Sequence, residues 1–72
     1  MMDSEGKPLQ VGARVICDGM QGEVVCSIDT GEGTSEAPIE QWSHLRRGVM
    51  IRTKKAGLIH YTDGSGIVQI SD

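Results

Sequence analysis

From Leu9 onward the apolar positions fall into short runs separated by glycine-bearing turns, with no sustained helical period. Thirteen residues are Val or Ile, and β-branched side chains suit a pleated surface better than a helix. The runs Ala13 to Asp18 and Glu23 to Asp29 flank Gly19-Met20-Gln21-Gly22, which reads as a hairpin. Pairing about that turn sets Val15 opposite Cys26 and Cys17 opposite Val24. One face then carries Val15, Cys17, Val24, Cys26 and Ile28 as a core layer. The other carries Arg14, Ile16, Asp18, Glu23, Val25 and Ser27, leaving the apolar pair Ile16/Val25 to be covered by a neighbouring segment or another subunit.

Residues 30–40 contain two Gly, one Pro and three Glu without an apolar period, and predict a mobile acidic loop. Gln41 to Leu45 predicts a single helical turn with Trp42 and Leu45 pointing inward. Strands resume at Val49–Thr53 and Leu58–Thr62 around Lys54-Lys55-Ala56-Gly57. A third turn, Asp63-Gly64-Ser65-Gly66, leads to a last strand, Ile67–Ile70. Five short strands with three tight turns and almost no helix predict an all-β fold, a small barrel or sandwich. Closure would also remove the exposed edges of an open sheet. Residues 1–8 are polar, end in Pro8, and read as a flexible lead-in.

The string Val11-Gly12-Ala13-Arg14-Val15, followed by Asp18 to Val25, resembles the opening of KOW and related SH3-like barrels. That resemblance implies the fold, a five-stranded, strongly bent SH3-like barrel with one long acidic loop over residues 9–72; barrels of this kind bind RNA, DNA, peptides or protein surfaces. A longer string is similar to small bacterial SH3-like proteins of unassigned function, some carried on mobile gene cassettes. It comprises the same opening, Ser27 to Glu32, Trp42-Ser43, Leu45, Gly48-Val49 and Gly57 to Tyr61. It implies a stand-alone barrel and supplies no chemistry. Val68-Gln69-Ile70 is similar to the pore strand of type II plasmid-borne dihydrofolate reductases, which are tetrameric. That resemblance implies ligand contacts for Gln69 and Ile70 in a multimer, but Ser71 stands where that family has Tyr.

Size and charge narrow the functional classes. A chain of 72 residues is one domain at most and buries only about 60% of its unfolded surface, so an oligomer would help it. No apolar run approaches the ~18 residues of a membrane span, and the polar start does not read as a signal peptide, so a cytoplasmic protein without membrane partners is expected. Cys17 and Cys26 lack a CxxC pair and read as buried thiols. Asp29, Glu32, Glu36 and Glu40 do not have calcium-loop spacing, and no cofactor or metal is implied. His44 and His60 have no nucleophile fixed beside them, and no phosphate-cradling loop is present, so an enzyme is not expected.

Two binding readings remain. Arg46, Arg47, Arg52, Lys54 and Lys55 place five of the seven cations within ten residues, a candidate nucleic-acid contact with aromatics nearby, although the chain's net charge is -3. The second hairpin is apolar on both faces; one face can point into a barrel and the other then needs a partner. Trp42, Met50, Ile59 and Tyr61 therefore form the candidate partner-binding set of a self-associating or protein-binding module, with Trp42 serving as core anchor or interface anchor.

Overall fold

A computed structural model describes residues 1–70; Ser71 and Asp72 lie outside them. The strands are β1 (Arg14–Cys17), β2 (Met20–Ser27), β3 (Val49–Thr53), β4 (Gly57–Tyr61) and β5 (Ile67–Gln69). They form one antiparallel sheet in the order β4-β3-β2-β1-β5. The outermost strands β4 and β5 are not paired with each other, so the sheet is open. Among the described residues helix is confined to one turn, α1 (Ile39–Trp42), and a 3-10 turn over Ser43–Leu45. The all-β, five-strand expectation is met.

The first hairpin is tighter than expected. Asp18 and Gly19 both have positive φ, +50° and +75°, the two-residue turn whose twist matches the flanking strands. Cys17 therefore faces Met20 and Val15 faces Gly22, which corrects the pairings of Val15 with Cys26 and Cys17 with Val24. The shift is four residues, an even number, so Val15, Cys17 and Val24 still share a face. Gly22 is interior to β2 rather than a turn residue. A Cβ there would lie 2.7 Å from Ile51 Cγ2 and 2.8 Å from the Arg52 carbonyl oxygen, so the close approach of β3 excludes a side chain.

A bulge then divides the core. β2 pairs Val24 with Ile51 but Cys26 with Met50, leaving Val25 as the extra residue. Val25 and Cys26 consequently both leave the face of Val24. One apolar cluster holds Leu9, Val15, Cys17, Val24, Val49, Ile51 and Ile67, with Tyr61 packed against it. The second holds Val25, Cys26, Ile28, Ala37 and Met50, with Ile39, Trp42 and Leu45 packed on it. The expected single layer containing both Cys17 and Cys26 is therefore split.

The segment read as a mobile acidic loop covers that second cluster. Ala37 is fully buried, and Thr34 Oγ1 donates to the Val25 carbonyl oxygen at 2.8 Å. The helical turn begins at Ile39, two residues before the expected start, and Trp42 and Leu45 point inward at the expected spacing. Val25 is thus covered by a neighbouring segment. Ile16 stays 40% exposed, opposite Gln21 on one side and Val68 on the other.

Residues 1–8 lie against β5. Asp3 Oδ1 accepts the Glu5 and Lys7 amides at 2.8 and 2.9 Å, and Oδ2 accepts Gln69 Nε2 at 3.1 Å. The Ser4 amide donates to the Ile67 carbonyl oxygen at 2.8 Å. Asp3 is buried, and its amide donors hold its carboxyl below the usual carboxylate range.

Candidate interaction surface

β4 is held on one side only. Its five residues pair with β3 from Thr53↔Gly57 to Val49↔Tyr61 without a register break. The hairpin loop is closed by Thr53 Oγ1, which accepts the Ala56 amide at 2.9 Å and donates to the Gly57 carbonyl oxygen at 3.0 Å. Among the described residues no backbone hydrogen bond reaches the outer side of β4. Leu58 is 38% exposed there, and Ile59, His60 and Tyr61 are half-buried.

Two side chains anchor this strand. His60 Nε2 donates to the Arg47 carbonyl oxygen at 2.8 Å; since a carbonyl only accepts, Nε2 carries the hydrogen. Tyr61 OH donates to Asp18 Oδ2 at 2.8 Å. Burial, with Cys17 and Asp18 beside it, holds the Tyr61 hydroxyl well above the usual phenol range.

The four candidate partner-binding residues do not share one face. Met50 is buried in the second cluster and Trp42 packs over it, with its indole N–H buried and unpartnered among the described residues. Trp42 is therefore turned toward the core. Ile59 lies opposite Ile51 and Tyr61 opposite Val49, on the side of the first cluster. Only Ile59 and Tyr61 of the set stand on the β4 edge.

The basic residues are also dispersed. Arg46 and Arg47 precede β3 and Lys54 and Lys55 follow it; Arg47 and Lys54 are seven residues apart, about 23 Å along an extended chain. Arg52 Nη1 contacts both carboxylate oxygens of Glu36 at 2.6 and 2.8 Å, and Nη2 lies 3.6 Å from Glu23. Glu36 and Glu23 thereby hold the Arg52 guanidinium more firmly protonated. Arg52 and Lys54 also border a shallow depression of about 160 Å³ with Arg14, Glu23 and Ile70. That is smaller than the roughly 300 Å³ at which ligand pockets begin.

Gln69 donates its amide to Asp3 and, at 2.9 Å, to the Pro8 carbonyl oxygen, so it is engaged within the chain; Ser71 of the same resemblance lies outside the described residues. Cys17 and Cys26 are buried free thiols, and burial pushes the Cys26 thiol up. Among the described residues no three His, Cys, Asp or Glu side chains gather as metal ligands, and no helix is long and apolar enough to cross a membrane.

The Asp-Gly dipeptide at 18–19 was the readable signal for the true first turn, whereas the roles of Asp3 and Glu36 depend on partners distant in sequence. Set against known protein families, curated proteins and solved structures, the chain matches none of them.

Proposed function

We propose that the chain is a small SH3-like interaction module that binds a protein partner by accepting an extended strand along the free edge of β4. The observation that carries this reading is the contrast between the two sheet edges. β5 is three residues long and has the N-terminal turn laid against it. β4 is five residues of Gly-Leu-Ile-His-Tyr, without Asp, Glu, Lys, Arg, Pro or a bulge. Natural sheets blunt their edges with such devices, and an edge lacking them is a template for another strand. The SH3-like reading is supported by the opening Val11 to Val15 and by the curl that brings Tyr61 on β4 to Asp18 beyond β1.

The nucleic-acid reading has less support. Arg52 is engaged with Glu36 and Glu23, and the remaining cations of the cluster stand at opposite ends of β3. Strand addition is tested by placing a photo-crosslinking amino acid at Leu58 and, separately, at Ile16, which is equally exposed but sits on β1. Adducts to protein from position 58 and few from 16 are expected in cells. Adducts from 16 alone, or none from 58, overturn the reading.

A further inference from the structure

We infer that the strand received by β4 is β4 of a second copy of this chain, paired antiparallel about a two-fold axis at Ile59. This rests on the strand-addition reading and names its partner. A two-fold contact must be self-complementary, because each residue meets the image of its own surroundings. Centred on Ile59, the register sets Leu58 against His60 of the second copy, Gly57 against its Tyr61, and Ile59 against its Ile59. No charged side chain falls within the paired span.

The charges that bound the strand match in the same register. Lys55, in the turn before β4, falls at the end where the second copy brings Asp63, and the two-fold repeats that opposite-charge pair. Both residues are exposed. Moving the axis to His60 sets imidazole against imidazole and takes Lys55 away from Asp63. Moving it to Leu58 sets Lys55 against Tyr61. Only the Ile59 register combines an apolar centre with paired charges at both ends. Ile59 and Tyr61, half-buried in one copy, gain cover from the second, and a chain this small benefits from the added burial.

Sedimentation of the purified chain at micromolar to submillimolar concentration is expected to give twice its 7.7 kDa mass. Leu58→Lys puts a guard charge on the edge at an exposed position and should weaken association by about tenfold or more. Ile59→Cys should oxidise to a covalent dimer, since directly opposed antiparallel residues lie within disulfide reach, about 4.5–5.5 Å between Cα atoms. Cys17 and Cys26 are buried and contribute little background. A monomer throughout that range overturns the inference, as does a dimer indifferent to Leu58→Lys. If the purified chain is monomeric while position 58 crosslinks to a different protein in cells, the second copy is wrong and strand addition stands. If neither occurs, both fail.

Discussion

The hydroxyl of Tyr61 donates to Asp18 Oδ2 at 2.8 Å, joining β4 to the turn that follows β1. In the sheet those strands are separated by β3 and β2. The bond therefore spans the curled face, over the cluster containing Cys17 and Val49, and holds the edge strand against the body of the sheet.

Tyr61→Phe keeps the ring and removes that bond. A hydrogen bond to a charged acceptor contributes about 1.5–3 kcal/mol when well made, and partial exposure of this one places the loss at about 1 kcal/mol. For a domain of this size that lowers Tm by about 4–8 °C, measurable by calorimetry.

The same residue predicts an alkaline limit. Tyr61 is raised in the folded state, so the native chain retains a proton that the unfolded chain releases near pH ~10. Stability is fully present below that pH and declines as pH rises above it. Tyr61 is the sole tyrosine, so its phenolate absorbance is a clean reporter. Ionisation should be delayed beyond pH ~10 and should coincide with unfolding. Ordinary titration in the folded chain would contradict the placement of the hydroxyl beside Cys17 and Asp18.

At the acid end the sign reverses. Asp3 is lowered by the Lys7 amide and Asp29 by the Gly48 amide, so each favours the native state when ionised. Their contribution is present above pH ~4, the ordinary aspartate value, and is lost as pH falls through their lower native values. In Asp3→Asn the acid transition should become shallower, and the Glu5 and Lys7 amides, which lose a charged acceptor, should exchange faster with solvent. Unchanged exchange there would show that Asp3 does not order the N-terminal turn.

Much of the fold was legible because the Val/Ile runs and their turns lie close in sequence. The second hairpin lies where it was read but pairs one residue earlier: Thr53 to Val49 run against Gly57 to Tyr61 rather than Leu58 to Thr62, because the Thr53 hydroxyl closes a three-residue loop that leaves Gly57 in the strand. The first hairpin misled because Gly22 resembles a turn residue, whereas it is glycine for lack of room beside Ile51. The uninterrupted apolar run Val24-Val25-Cys26 departs from alternation, and that departure is the mark of the bulge. The candidate site was only partly legible. Burial of Met50 and the inward turn of Trp42 depend on which face the loop over Ala37 covers, and that packing is long-range.

Gly22 supplies a test of the corrected register. Under the observed pairing its Cα faces Val15 and Thr53, and an added methyl group would collide with Ile51 Cγ2 and the Arg52 carbonyl oxygen. One of those contacts is backbone, which cannot turn aside as a flexible side chain would. Overpacking of this kind costs about 1–3 kcal/mol, so Gly22→Ala should lower the denaturation midpoint clearly. Were residues 19–22 a solvent-exposed turn, the methyl would meet only water and Gly22→Ala would be nearly neutral wherever φ is negative. Chemical denaturation of this one variant therefore separates the two registers. A near-neutral result would contradict the close approach of β3 to Gly22, and with it the pairing of Gly22 with Val15 on one side and Thr53 on the other.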